Sequence, residues 1–192
     1  MKTSPETGNM VWNDETLKYY EMLDETVMAV LINTPNNPSG VTYSDETVRR
    51  FANLKPAAED FRIFWDNAYM VHHLYEKIEI LNIIDECEKA GNPDMYYEFC
   101  SFSKISFAGA GIAAMAMSPA NLADAKKTLT VQTIGADKMN MLRHVLYFKN
   151  AAGVDAHMEK HAAMLRPKFE MVDRVLAEGL EGLDAGTWAK PK

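Results

Sequence analysis

Lys104 closes the stretch Ser101-Phe102-Ser103-Lys104, in which small polar residues crowd a single primary amine. Such an amine becomes a nucleophile when burial or nearby positive charge lowers its pKa. Two earlier stretches carry side chains that could serve one centre with it: Asn36-Asn37-Pro38-Ser39-Gly40 and Asp66-Asn67-Ala68-Tyr69. A carboxylate such as Asp66 favours the protonated form of a base beside it. Asn37, Tyr69, Ser101 and Ser103 supply amide and hydroxyl donors. Taken singly, each has an ordinary role. A lone lysine is usually a solvated surface residue, and Asp66 would cap a turn after a strand. Asn37 would be a turn residue, Tyr69 a core aromatic with a satisfied hydroxyl, and the serines turn hydroxyls.

The elements that must position these residues decide between the readings. Val27–Ile32 is a continuous apolar run bounded by a turn, as expected of a strand covered on both faces. Thr34 to Gly40 must then turn, because two prolines fix φ and Gly40 allows a positive φ. Ser44 caps a helix to about Leu54, with Asp45 and Glu46 at the positive end of its dipole and Lys55-Pro56 ending it. Phe61–Trp65 is the second strand, Ile80–Ala90 a helix stopped by Gly91, Met95–Cys100 the third strand and Ile112–Met117 the fourth. Ser118-Pro119 starts a further helix, and Asp137 caps another that runs to about Phe148. A long helix follows from Val154 to about Glu178, striped by Val154, Met158, Ala162, Leu165, Phe169, Val172 and Leu176, with a kink expected at Pro167. Thr16–Leu23 predicts a short helix within a polar, irregular opening segment, and Thr187-Trp188-Ala189 a strand start.

Strands alternating with helices predict an α/β fold: a mostly parallel sheet with helices on both faces. In such sheets ligands bind beyond the carboxyl ends of the strands. Asn37, Asp66 and Lys104 each fall at or just past a predicted strand end, so pattern alone points to one shared site.

Composition narrows the function classes. The chain has 192 residues, enough for one domain with a sizeable core or one domain and part of another. Its formal charge of −7 argues against nucleic acid and anionic membrane surfaces as partners. The longest apolar run, Phe107 to Met117, is too short and too rich in Gly and Ala to cross a bilayer. No secretory leader is visible, and Cys87 and Cys100 form neither a CxxC nor a disulfide framework, so a cytoplasmic location is expected. His72-His73 lacks partners at zinc-ligand spacing, so no metal is expected.

In their order and spacing, Asn36-Asn37-Pro38-Ser39-Gly40, Asp66-Asn67-Ala68-Tyr69 and Ser101-Phe102-Ser103-Lys104 resemble the fold-type I, class I/II aminotransferases. The match covers most of this chain but only the middle of a family member. The resemblance implies pyridoxal 5′-phosphate as cofactor and Lys104 as its Schiff-base and catalytic lysine. It further implies Asp66 against the pyridine nitrogen, Asn37 and Tyr69 on the phenolic oxygen, and Ser101 and Ser103 on the phosphate. Amino acid and 2-oxo acid substrates follow, with aspartate and 2-oxoglutarate the first pair to consider, and a homodimer for the full-length protein.

One stretch departs from the family pattern. An arginine that binds the phosphate usually follows the lysine, but Phe107-Ala108-Gly109-Ala110-Gly111-Ile112 has none. This stretch, with Gly40 to Arg50, instead resembles an alanine- or aspartate-aminotransferase-like branch related to the aminotransferase domain of MocR-type regulators. A cofactor-sensing module of that type, and an inactive fragment or interaction domain, are therefore the alternatives to an enzyme. The implied organisation is an irregular segment over 1–25, a partial large domain over 26–153, a kinked interdomain helix over 154–182 and the start of a small domain over 183–192.

Overall fold

The computed structural model describes residues 2–3, 10–11, 29–37 and 39–179. The helix expected over Thr16–Leu23 and the strand start expected at Thr187 lie outside the described residues. Near the amino end, β1 (Lys2–Thr3) and β2 (Met10–Val11) pair antiparallel, with Lys2 opposite Val11. This corrects the expectation of a wholly irregular opening segment. Its polar composition hides the pair, although Pro5 and Gly8, which favour turns, fall between the two strands.

The main sheet has four strands in the order β3 (Ala29–Asn33), β4 (Arg62–Asp66), β5 (Tyr96–Ser101) and β6 (Ala113–Met117). The first three are parallel, connected by α1 (Asp45–Ala52) and α2 (Ile83–Lys89). β6 runs antiparallel to β5. The 102–112 connection is too short for the crossover that a parallel neighbour needs, so the chain must reverse. β4, β5 and β6 begin one residue later than the apolar runs suggest, and Asp66 and Ser101 are the last residues of β4 and β5.

Local chemistry explains the helix limits. The Ser44 hydroxyl accepts from the Thr47 N–H at 3.2 Å and starts α1. α2 starts at Ile83 and not at Ile80, because Asn82 supplies the capping oxygen, accepting from the Ile84 N–H at 3.0 Å. Gly91, at φ +77°, follows its end.

One face of the sheet carries Ile32, Ile63, Trp65 and Tyr96 into a buried core with Val48, Phe51, Ala52, Ile83 and Cys87. Tyr43, Phe51 and Trp65 meet there with ring centroids 5.9–6.1 Å apart. The register sets Leu31, Phe64, Phe99 and Met115 together on the other face. Here Leu31 is 69% and Met115 51% exposed, which corrects the expectation of cover on both faces.

The chain divides into two compact units, Met1–Met70 with Glu79–Arg143 and Val71–Ile78 with His144–Lys192. The boundary between them, 143/144, falls inside α4 (Lys138–Phe148). In the first unit Ser118 caps α3 (Pro119–Gln132) by accepting from the Asn121 N–H at 3.2 Å. In the second, Arg166 of α5 (Ala151–Gly179) ties down segment 71–78. Its Nε and Nη2 donate to the Leu74 carbonyl at 2.8 and 2.5 Å, and its guanidinium lies 5.5 Å from the Tyr75 ring centre. Pro167 lies inside α5. The apolar stripe of α5 is buried at Met158 and Ala162 but exposed at Phe169, Val172 and Leu176.

Candidate active site

The parallel strands β3, β4 and β5 end side by side. Asn33 is the register partner of Asp66, and Asp66 that of Phe99, two residues before Ser101. The three sequence stretches therefore leave the sheet along one edge, within one compact unit.

After β3 the chain passes a cis Thr34–Pro35 bond and turns at Gly40, where φ is +70°. Asn33 organises this turn. Its Oδ1 accepts from the Asn36 Nδ2 and from the Asn37 backbone N–H, both at 3.0 Å. Asn36 Oδ1 in turn accepts from the Ser39 hydroxyl at 2.7 Å. The Asn37 side chain is thereby aimed across to the second stretch, where its Nδ2 donates to the Tyr69 hydroxyl at 3.4 Å. Asp66 is half-buried, and its Oδ1 accepts from the Ala68 N–H at 3.0 Å, which sets the carboxylate and begins the turn to Tyr69. A recess of ≈ 390 Å³ opens here, lined by Leu31, Asn33, Asn36, Asn37, Tyr43 and Asp66 among others. A recess of ≈ 450 Å³ near Pro56, Arg62 and Asp94 holds none of the candidate residues.

At the third strand end, the Ser101 hydroxyl accepts from the Ser103 N–H and donates to the Ser103 hydroxyl, both at 3.1 Å. This caps the short 3-10 turn Phe102–Lys104, and Lys104 is exposed at its end. The glycine-rich turn follows with φ +75° at Gly109 and +69° at Gly111. Asn140 of α4 donates to the Ala110 carbonyl and steadies that turn. Cys100 is half-buried and free.

The set thus falls into an Asn37–Tyr69 contact, a fixed carboxylate at Asp66, and a serine-capped turn ending in Lys104. Sequence reasoning missed the role of Asn33 and Asn36, which hold Asn37 in place. An asparagine at a strand end before a proline-rich turn was the available signal. It also missed Asn67 and Glu98, paired across 31 residues. Burial raises the Glu98 carboxyl above its ordinary range, and the Asn67 amide acts against that rise. Among the described residues no group of three His, Cys, Asp or Glu side chains is arranged to hold a metal ion. Nor is any helix among them long and apolar enough to cross a membrane.

The profile of the family described as aspartate amino-transferase matches residues 19–192. An aspartate aminotransferase of Corynebacterium glutamicum is 40% identical over 157 residues, covering 81% of this chain and 36% of its own length. A crystal structure of an aspartate transaminase from the same species superposes with a TM-score of 0.81 at 37% identity, over 86% of this chain and 39% of that one. The aspartate aminotransferase of Thermus thermophilus, at 21% identity and a TM-score of 0.61 over 90% of this chain and 42% of that one, shares the fold. The chain thus spans well under half the length of these relatives. Matched in family profile and in fold, the chain belongs to the aspartate aminotransferase family, whose members depend on pyridoxal phosphate.

Proposed function

We propose that this chain is the cofactor-binding core of an aminotransferase that moves an amino group between an amino acid and a 2-oxo acid. The observation that carries the reading is the convergence of Asn37 with Tyr69, Asp66, and the Ser101–Lys104 turn on one sheet edge. These donors and acceptors match the polar groups of pyridoxal phosphate. When bound, that cofactor supplies an electron sink that stabilises negative charge at a substrate Cα.

Each residue then has a defined task. Lys104 would hold the cofactor covalently through Nζ and would move a proton at the substrate Cα. Asp66 would hold the proton on the pyridine nitrogen, because a close carboxylate favours the protonated base. Asn37 and Tyr69 would hydrogen-bond the phenolic oxygen, and Ser101 and Ser103 would donate to the phosphate. Where the family arginine is missing, the glycine-rich turn 107–111 would have to supply the anion's backbone N–H donors, although its Ala110 N–H already donates to the Phe107 carbonyl at 3.0 Å. Aspartate and 2-oxoglutarate are the substrates to try first, consistent with the names of the relatives. The longer protein is a homodimer in this reading, with residues 26–153 in its large domain and α5 leading towards a small domain. Its location is cytoplasmic.

The test is to add pyridoxal phosphate to the chain, reduce with borohydride and map the modified peptide by mass spectrometry. The modification is expected on Lys104 and lost in Lys104→Ala. Asp66→Ala should keep the modification yet lose exchange of the substrate α-proton. Absence of any modification at saturating cofactor sinks the reading for this chain.

A further inference from the structure

One residue after Asp66, the side chain of Asn67 turns to Glu98 of β5. Asn67 is 9% exposed, and its backbone N–H donates to the Phe99 carbonyl at 2.8 Å. Its Nδ2 donates to Glu98 Oε1, but its Oδ1 is buried and has no donor. A buried amide oxygen without a donor is unfavourable, because it has lost water and gained nothing. An ionised carboxylate cannot help, since it only accepts, whereas a neutral carboxylic acid carries one O–H.

The surroundings of Glu98 favour the neutral acid. By register it lies between Trp65 of β4 and Ala116 of β6, on the same side of β5 as Tyr96 and Cys100. β4 and β6 bring Ile63, Trp65, Ala114 and Ala116 to that side, none of them titratable. α2 packs on β5 and carries Asp85, Glu86, Cys87, Glu88 and Lys89. Its one cation, Lys89, lies 2.6 Å from Glu86, and Arg49 of α1 reaches the same carboxylate at 3.5 Å. Burial and the Asn67 amide are what act on Glu98, and burial is the larger.

We propose that Glu98 is a positioning residue for the Asp66–Tyr69 turn. Its neutral acid donates O–H to Asn67 Oδ1 while accepting from Asn67 Nδ2, and this two-bond ring holds the turn that carries Asp66 and Tyr69. The pairing stands on geometry, and its consequence for the cofactor rests on the reading of Asp66 and Tyr69 given above. The sign of the linkage follows. An acid whose folded pKa lies above its unfolded value stabilises fully below the ordinary carboxylate range, and that contribution is lost as pH rises through the folded value.

The experiment compares melting temperatures of the wild-type chain, Glu98→Gln, Glu98→Ala, Asn67→Ala and the double variant Asn67→Ala with Glu98→Gln. The range is about pH 3, below the ordinary glutamate value, to about pH 8. Glutamine copies the neutral acid, with one donor and one acceptor. Glu98→Gln should match wild type at the acid end and melt ~2–4 °C above it at the neutral end. Glu98→Ala should melt below Glu98→Gln throughout. In the Asn67→Ala background burial still keeps a pH-dependent gap between Glu98 and Glu98→Gln, whereas the acid-end loss caused by Asn67→Ala should be the same with glutamate and with glutamine at position 98. A constant offset between wild type and Glu98→Gln, or equal stability of Glu98→Ala and Glu98→Gln, overturns the pairing. A second readout is pyridoxal phosphate affinity by absorbance. The ratio of wild-type to Glu98→Gln affinity should fall with rising pH, and Glu98→Ala should bind more weakly than Glu98→Gln. Unchanged affinity in Glu98→Ala overturns the positioning role. If the wild-type chain takes up no cofactor, the aminotransferase reading fails while the melting series still decides the pairing.

Discussion

Replacing Asn33 by alanine is the sharpest probe of how the fold builds the candidate site, because Asn33 holds the turn that carries Asn37. Its Oδ1 accepts two hydrogen bonds at 3.0 Å, one from the Asn36 side chain and one from the Asn37 backbone. Each such bond contributes about 0.5–1.5 kcal/mol net, and partial exposure of this loop places the pair near the lower end, about 1.5 kcal/mol together. For a chain of this size that is a drop of ~3–6 °C in melting temperature. Asn37 would also lose its aim towards Tyr69, and freeing it should weaken pyridoxal phosphate binding by ~10-fold. Asn33→Asp gives the control, since it keeps the acceptor. It also sets a second carboxylate beside its register partner Asp66, where like charges repel. Its recovery should therefore be incomplete at neutral pH. Differential scanning fluorimetry and cofactor titration by absorbance measure both effects. A melting temperature for Asn33→Ala within about 1 °C of wild type, with unchanged cofactor affinity, would refute the idea that Asn33 organises the turn.

Two further outcomes test the fold around the site. Gly111→Ala should destabilise more than Gly109→Ala: both sit at positive φ, but a Cβ on Gly111 also meets the Asn140 side chain at 3.1 Å. The left-handed penalty alone is about 1–2 kcal/mol, so both should lower the melting temperature, and equal losses would show that Asn140 simply moves aside. The uncovered sheet face should make this chain self-associate, because contiguous exposed apolar surface drives association. Leu31→Lys with Met115→Lys should lower the mass seen by light scattering at little cost in stability, given their exposure. A wild-type chain that runs as a monodisperse monomer would contradict that expectation.

The amino-acid sequence by itself determined the four strands of the main sheet, the helix caps at Ser44 and Ser118, and the placement of Asn37, Asp66 and Lys104 at or just past strand ends. These are local matters of apolar run length, capping chemistry and turn residues, each decided within a few positions of the chain. Tertiary structure decided the rest. That Asn37 meets Tyr69, 32 residues away, and Asn67 meets Glu98, 31 away, depends on which strands become neighbours and in what register. Segment 71–78 joins α5 because Arg166 grips the Leu74 carbonyl 92 residues distant, a bond that no local pattern announces. The same holds for the sheet faces. An apolar run says that a strand can be buried on both sides, but whether both sides are covered depends on what packs there, which is why Ile63 is fully buried while Leu31, equally apolar, is 69% exposed.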